Sequence, residues 1–301
     1  SYEVIQKERP DAVLVLGDTN SALSAISAKR LKVPIFHMEA GNRCWDWNVP
    51  EMINRKIVDH ISDINLPYTE HSRRYLLSEG LDGKTIFVTG SPMREVLRDA
   101  ANGINESRVL ETLGLSPRKY LLLSAHREEN IDNQENFFSL MNAVNRIAER
   151  YQMPVIYSMH PRSKKYIVQR GFQFHPLVRS MEPFGFFDYN QLQKNSFCVL
   201  SDSGTLSEES AILGFPGVLL RTSTERPEVL DKGTVVIGGI RGEDVERAIT
   251  LAVSMSENGE ETVMAEDYAD TNVSVKVIKL IESYTKIVNE TVWLKRSEEA
   301  H

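Results

Sequence analysis

The chain has 301 residues, of which 41% are hydrophobic, so it can bury a large core and form two domains. Its formal net charge of −7, without a lysine- or arginine-rich run, excludes nucleic acid and anionic membrane as main partners. Because no apolar run reaches the roughly 18 residues of a membrane span, no signal-peptide pattern is visible and the 2 cysteines lie far apart, we expect a cytoplasmic protein.

Short apolar runs recur along the chain and predict strands that are covered on both faces. Segments with helical spacing of apolar residues, such as residues 137–148, lie between several of them. This alternation indicates an α/β protein with parallel sheets. The predicted strands are residues 12–16, 33–36, 64–66, 86–88, 120–123, 155–157, 198–200, 217–220 and 234–237.

A polar stretch at residues 98–119 separates two groups of predicted strands. We therefore predict an N-terminal domain at 1–105 and a C-terminal domain at 106–275, each built on its own parallel sheet. A last helix, within 276–301, packs on its own domain or crosses back to the first. The chain opens on what reads as the tail of a helix, so we expect the first domain to be truncated at its N-terminus.

Polar loops follow five of the predicted strands. In open parallel sheets ligands bind beyond the carboxyl ends of the strands, so these loops are the predicted location of the functional site. The loops are residues 17–19, 37–41, 124–129, 160–162 and 201–205.

Three carboxylates dominate the first half of the chain: Asp18, Glu39 and Glu51. Neighbouring carboxylates can have their pKa values pushed apart, which supplies a proton acceptor and a proton donor at one pH. Proton transfer at carbon is a reaction that this arrangement serves. Asp18 alone also fits a turn residue, whereas burial of Glu39 would be costly without a purpose.

Ser203, Gly204 and Thr205 lie between a strand and a helix, where backbone N–H groups attract anions and a glycine admits a phosphate. An ordinary helix cap is the alternative. Glu208 and Glu209 follow, where a carboxylate could accept hydrogen bonds from ribose hydroxyls or simply complement the helix dipole.

We interpret His37 as an interior histidine and His126 as the better ligand candidate. Arg226 could bind a phosphate or form a structural salt bridge. The histidine and cysteine spacings do not match a metal site, so no metal is predicted.

The segments LGDTNS, FHMEAGNRC, VPEMINRK, VTGSP, SAHREEN, SDSGTLSEES and RTSTERPE, between about residues 10 and 240, resemble the non-hydrolysing UDP-N-acetylglucosamine 2-epimerase family. INRKIVDHISDINLPY and SMHPRS look closest to its UDP-N-acetyl-L-fucosamine synthase branch. The resemblance implies a GT-B-like fold, with two Rossmann-like domains whose parallel sheets face a central cleft. It also implies a homodimer that needs no cofactor and epimerises C2 of a UDP-N-acetylhexosamine for capsule or O-antigen sugars.

The same resemblance implies roles for individual residues. Asp18, Glu39 and Glu51 match the acid/base candidates, and His126 a catalytic group that stabilises the departing diphosphate. Phe184 lies in a loop that is similar to the one that reads uracil. The residues expected to bind UDP or the UDP-sugar are Arg43, Arg55, Arg127, Phe184, Ser203, Gly204, Thr205, Glu208, Glu209 and Arg226.

The sequence also departs from the family pattern. The first strand with its GTRPE-like loop is missing, Met52 replaces a glutamate, and Thr205 replaces a common glycine. Three alternatives therefore stay open: a GT-B glycosyltransferase, a hydrolysing 2-epimerase, and an inactive UDP-sugar binding protein.

Overall fold

The structure is a computed structural model that describes residues 1–47, 49–222, 224–260 and 263–295. It is an α/β protein that divides into two compact units. The first contains residues 1–95 and the C-terminal segment from Glu266, and the second contains residues 96–265. The predicted divisions, after residues 105 and 275, lie further along the chain. The polar stretch that suggested the first division is largely helical, so its polarity did not mark a linker.

The first unit is built on a parallel sheet with the order β1-β2-β3, in the part of the chain that the structure describes. The strands are β1 Val13–Leu16, β2 Ile35–Met38 and β3 Ile64–Leu66. The helices are α1 Tyr2–Glu8, α2 Ser24–Arg30, α3 Pro50–Ile61, α4 Glu70–Ser78 and α15 Val273–Thr291, and α5 Met93–Asp99 contains the division between the units. Short 3-10 helices are Asn20–Leu23, Gly83–Thr85 and Glu266–Tyr268.

The central strand β2 is buried along its whole length, which explains why its sequence is continuously apolar around His37. Helix α3 begins with Pro50, whose fixed φ suits the first turn of a helix. Helix α15 packs through Val277 and Val288 against a cluster that contains Phe36 and Leu66 of the sheet. The C-terminal helix therefore belongs to the core of the first unit.

The second unit is built on a parallel sheet with the order β6-β5-β4-β7-β8-β9 among the described residues. The strands are β4 Leu121–Ser124, β5 Val155–Ser158, β6 Val178–Met181, β7 Cys198–Ser201, β8 Gly217–Leu219 and β9 Val236–Ile237. The helices are α6 Ala101–Glu106, α7 Val109–Leu113, α8 Glu128–Ile131, α9 Gln134–Tyr151, α10 Pro161–Gln169, α11 Phe186–Asn195, α12 Thr205–Leu213, α13 Pro227–Asp231 and α14 Gly242–Glu257.

This strand order is that of a doubly wound nucleotide-binding sheet, which confirms the prediction of a Rossmann-like unit. The order reverses between β4 and β7, and a crevice for ligands forms beyond the carboxyl ends of strands at such a point. The core beneath it joins Leu121 and Leu123 of β4 to Phe137 and Val144 of α9. The loops after β4 and β7 are therefore the expected ligand-binding loops.

The predicted strands agree with the structure to within one residue except at four places. Strand β9 begins two residues later than the predicted 234–237. Strand β2 begins and ends two residues later than residues 33–36, so His37 lies within the strand. The predicted strand 86–88 is reduced to one bridge between Ile86 and Asn65. Strand β6 was missed, because it is a partly exposed edge strand without a continuous apolar run. None of the described helices is long and apolar enough to cross a membrane.

Candidate active site

Three of the predicted site residues come together at the carboxyl ends of β1 and β2. Arg55 of α3 donates hydrogen bonds to a carboxylate oxygen of Asp18 and to the backbone carbonyl of Glu39. Its Nη2 atom also lies 3.4 Å from Oε2 of Glu39. The guanidinium group thus holds two carboxylate-bearing loops together, and both carboxylates keep about a fifth of their surface exposed, at 20% and 19%.

The backbone of Glu39 is in the left-handed region, with φ of +64°. A non-glycine residue held there costs about 1–3 kcal/mol, and such residues cluster at functional sites. Gly17 leaves room for the carboxylate, because a Cβ atom on Gly17 would lie 3.1 Å from Oε2 of Glu39. Both observations favour a functional role for Glu39 over a structural one.

The pKa of Asp18 is raised above its usual value. Burial raises the pKa of Asp18, and the negative charges of Glu39 and Glu51 raise it further, while Arg55 opposes the shift. Glu51, in the first turn of α3, is therefore close enough to act on Asp18 electrostatically. Met52 beside it is buried, so the methionine fills the interior where the family pattern has a second glutamate.

A fully buried network lies behind these carboxylates. His37 Nε2 is 2.9 Å from the carbonyl oxygen of Gly17, and Nδ1 is 2.8 Å from Oδ1 of Asp59. The Gly17 carbonyl can only accept, and Asp59 also accepts from Arg43 and from the backbone N–H of Gly41. Nε2 therefore donates to the Gly17 carbonyl while Nδ1 is hydrogen-bonded to Asp59, so both ring nitrogens have buried partners. This arrangement confirms the interpretation of His37 as an interior histidine.

Arg43 belongs to this network, which corrects the prediction that it binds the UDP-sugar. Its side chain has no exposed surface. Nη1 lies 2.8 Å from Asp59 Oδ2, and Nε and Nη2 donate to the two carboxylate oxygens of Glu79 at 2.9 and 2.7 Å. Because a buried guanidinium must be paired, two carboxylates take the place that was expected for a ligand.

The pairing of Arg43 with Glu79 predicts a dependence of stability on pH. Burial acts to raise the pKa of Glu79, but hydrogen bonds from Arg43 and Lys56 lower it to about 2. A depressed carboxyl pKa stabilises the folded state above the unfolded pKa, and this stability is lost as the pH falls toward the folded value. We expect Glu79→Gln to destabilise the protein at pH 7, and the difference from wild type to shrink below about pH 4.5.

Urea denaturation of both proteins between pH 7 and pH 3 measures this difference. Glu282→Gln is the control, because its carboxylate is exposed on α15 of the same unit, and it should behave as wild type throughout. A Glu79→Gln effect of constant size over this pH range would contradict the assignment.

In the second unit, Asp202 organises the loop that follows β4. Its buried carboxylate accepts hydrogen bonds from the backbone N–H groups of His126 at 2.9 Å and Arg127 at 3.0 Å, and from the side chain of Asn130 at 3.1 Å. Asp202 lies in the predicted loop 201–205, but it was not among the individually predicted site residues. Its position directly after an apolar strand run, beside a second such loop, was the available signal.

His126 and Arg127 are the two predicted residues of this loop. The side chain of His126 is 43% exposed, and its ring centroid lies 5.7 Å from that of His160. Arg127 donates from Nε to the carbonyl of Asp202 at 2.9 Å and from Nη2 to Glu225 at 3.1 Å. The loop therefore presents a partly exposed imidazole next to a fixed guanidinium. His160 lies in the predicted loop 160–162, although it was not among the individually predicted site residues.

The predicted phosphate-binding turn lies at the start of α12. The hydroxyl groups of Ser203 and Thr205 are 2.9 Å apart. A Cβ atom on Gly204 would come within 2.5 Å of Oε1 of Glu225, so a larger residue would have to displace this carboxylate. Burial alone would raise the pKa of Glu225, but the positive charges of Arg221, Arg127 and Arg226 lower it to about 2. The anionic carboxylate of Glu225 therefore lies next to Gly204, at the turn where a phosphate was expected.

Glu208 and Arg226 pair with each other. Arg226 Nη2 lies 3.3 Å from Oε2 of Glu208, and both side chains are 3% exposed. Arg226 thus forms the structural salt bridge that was the alternative to phosphate binding. The Glu208 carboxylate contacts this guanidinium, although it was a candidate for binding the ribose. Glu209 is also buried, but it contacts the side-chain amide of Gln193 at 2.5 Å. Phe184 is half-buried in the segment that leads into α11.

The model of the protein family described as UDP-N-acetylglucosamine 2-epimerase matches residues 1–282 of this chain. The chain belongs to this family. A curated member from Methanocaldococcus jannaschii, named UDP-N-acetylglucosamine 2-epimerase, is 35% identical over 265 residues, which cover 85% of this chain and 72% of that protein. A UDP-2,3-diacetamido-2,3-dideoxy-D-glucuronate 2-epimerase from Pseudomonas aeruginosa is 34% identical over 262 residues. The match covers 86% of this chain and 72% of that protein.

Solved structures of the 2-epimerase family support the same assignment. The UDP-N-acetylglucosamine 2-epimerase from Rickettsia bellii has a TM-score of 0.89 and 43% identity, and the match covers 98% of this chain and 79% of that one. The M. jannaschii enzyme, in a crystal with UDP-GlcNAc and UDP, has a TM-score of 0.86 and 31% identity over 94% and 78% of the two chains. The chain is therefore an epimerase with the predicted GT-B-like fold, and not a glycosyltransferase on that fold.

Proposed function

We propose that this epimerase inverts C2 of a UDP-N-acetylhexosamine by elimination and re-addition of UDP. A carboxylate removes the C2 proton, and the C1–O bond to UDP breaks with its electron pair, which leaves a 2-acetamidoglycal. A proton then returns to the opposite face of C2 while UDP adds back to C1. The reaction has no net oxidation, so it needs no redox cofactor.

The observation that carries this proposal is the strained Glu39 beside Asp18. The C2 hydrogen of a sugar acetal is weakly acidic, so its removal requires a well-placed base. Glu39 is held in a left-handed conformation with Arg55 between it and Asp18, and burial raises the pKa of Asp18. Two neighbouring carboxylates, of which one has a raised pKa, suit one base and one acid. Glu51 is the third candidate, through its charge effect on Asp18.

The second unit supplies groups that suit a nucleoside diphosphate. Arg127, with the partly exposed His126 beside it, would stabilise the negative charge that develops on the departing diphosphate. The turn at Ser203 and Gly204 offers backbone N–H groups at the start of α12. Glu209 is the ribose candidate, whereas Glu208 is paired with Arg226.

Product analysis tests the proposed reaction. The protein is incubated with UDP-N-acetylglucosamine, and the nucleotides and sugars are separated by chromatography. We expect a UDP-linked epimer with no accumulation of free UDP. Release of UDP together with a free hexosamine would identify a hydrolysing enzyme, and an unchanged substrate that still binds would identify an inactive binding protein.

We further propose that the preferred sugar is a UDP-linked 6-deoxy-L-hexosamine, destined for a bacterial surface polysaccharide. This proposal rests on the resemblance of the INRKIVDHISDINLPY and SMHPRS segments to the fucosamine synthase branch. A higher kcat/KM for the UDP-6-deoxy-L-talosamine-type sugar than for UDP-N-acetylglucosamine would support it. Equal values, or a preference for UDP-N-acetylglucosamine, would overturn it. A cytoplasmic location and a homodimer remain predictions.

A further inference from the structure

Glu209 is a buried carboxylate whose nearest partners are uncharged. It lies on α12 with 8% of its surface exposed. Gln193 of α11, which is 1% exposed, donates from Nε2 to Oε2 of Glu209 at 2.5 Å, and the hydroxyl of Thr205 provides a second hydrogen bond. Burial raises the pKa of Glu209 more than these two hydrogen bonds lower it. The carboxylate is thus held by neutral donors that do not cancel its charge.

Burial of the Gln193 side chain is expected to destabilise the folded state unless its amide forms a specific interaction. Burial of a side-chain amide is unfavourable when its polar atoms lack partners. Oε1 of Gln193 has no hydrogen-bond partner in the part of the chain that the structure describes. A methionine or leucine would pack the same space without that unsatisfied oxygen. The bond to Glu209 is therefore the interaction that accounts for a glutamine at this position.

We propose that Gln193 is a positioning residue for nucleotide recognition, which orients Glu209 to accept hydrogen bonds from the ribose hydroxyls of a ribonucleoside diphosphate. A vicinal diol presents two O–H donors, and a carboxylate has acceptor capacity on both oxygens. Because Gln193 engages one oxygen at a set distance, it fixes the rotation of the carboxylate. Its neutrality leaves the charge of Glu209 available to the diol. This inference rests on the proposed binding of UDP by the second unit.

Calorimetric titration with UDP and with 2′-deoxy-UDP tests the inference. We expect the wild type to bind UDP about ten-fold or more tightly than 2′-deoxy-UDP. Gln193→Met should weaken the binding of UDP but not that of 2′-deoxy-UDP. The ratio of the two affinities should therefore fall toward one. Gln191→Met is the matched control on the same helix, and it should retain the wild-type preference. Gln193→Asn, which keeps the amide but is too short to hold Glu209, serves as a second variant with the same expected loss.

The possible outcomes distinguish the role of Gln193 from the proposed binding of UDP. A Gln193→Met protein that is folded by circular dichroism and keeps the full preference for UDP would overturn the role of Gln193. Equal affinity of the wild type for the two nucleotides would overturn the ribose contact of Glu209, and with it this inference. Failure of the wild type to bind either nucleotide would overturn the proposed function itself. A uniform loss of affinity for both nucleotides in the variants would indicate a purely structural role.

Discussion

Replacement of Glu39 by glutamine is expected to lower kcat for epimerisation by about 10²–10⁴-fold, the usual contribution of a positioned acid or base. Glutamine has the same shape and keeps the left-handed backbone, but it cannot accept the C2 proton. UDP should bind with unchanged affinity, because Arg127 and Glu209, which are proposed to hold its diphosphate and ribose, lie in the second unit. The measurement is kcat for the UDP-sugar, together with calorimetric titration of UDP into wild type and variant.

Glu70→Gln is the control for this experiment. Glu70 is an exposed carboxylate at the start of α4 in the same unit, and its loss should leave kcat unchanged. A Glu39→Gln protein with near wild-type kcat would contradict the assignment of Glu39 to the chemistry. A large loss of UDP affinity in this variant would instead show that the substitution disturbs more than one carboxylate.

Gly41→Ala is expected to destabilise the fold by more than about 4 kcal/mol, or to prevent folding. Gly41 has φ of +79°, and a Cβ atom there would lie 2.4 Å from the backbone oxygen of Ser72 and 2.9 Å from Cγ of Leu76. The clash is with backbone, so a side-chain rotation cannot relieve it. Gly41 also donates its N–H to Asp59, so a shift of the loop would disturb the buried network.

Gly80→Ala is the matched control, because Gly80 also has a positive φ, +89°, but a Cβ atom there would meet nothing within 4 Å. Gly80→Ala should lower the free energy of unfolding only by the about 1–2 kcal/mol that a left-handed backbone conformation costs a non-glycine residue. Urea denaturation of the two variants and the wild type measures the free energy of unfolding. Similar costs for the two substitutions would show that the close approach at Gly41 is relieved by a small movement.

Much of the fold could be predicted because the buried strands are marked by continuous apolar runs. Strand β3 was predicted at its observed bounds, and α9 follows from its helical spacing. Strand β6 could not be found in this way, because an edge strand needs no apolar run. The displacement of β2 has a related cause: His37 reads as a loop residue, but its partners Gly17 and Asp59 allow it to be buried inside the strand.

The location of the site was easier to predict than the partners of its charged groups. The position of Asp18 and Glu39 after neighbouring strands was enough to place them together. Whether an arginine faces a ligand or a buried carboxylate depends on residues distant in sequence, such as Glu79 for Arg43. Asp202 and Gln193 were not predicted individually for the same reason, because their importance comes from hydrogen bonds formed only in the folded chain.

Proton exchange at C2 of a UDP-N-acetylhexosamine defines the proposed mechanism, and NMR in D₂O tests it most directly. The wild-type protein is incubated with UDP-N-acetylglucosamine, and in parallel with the UDP-6-deoxy-L-talosamine-type sugar, and the C2 proton signal is followed over time. We expect deuterium to enter C2 of at least one of the two sugars and an intact UDP-linked epimer to accumulate, and we expect both changes to be lost in Glu39→Gln. An epimer that keeps its original C2 hydrogen, or the absence of exchange with both sugars, would contradict this mechanism.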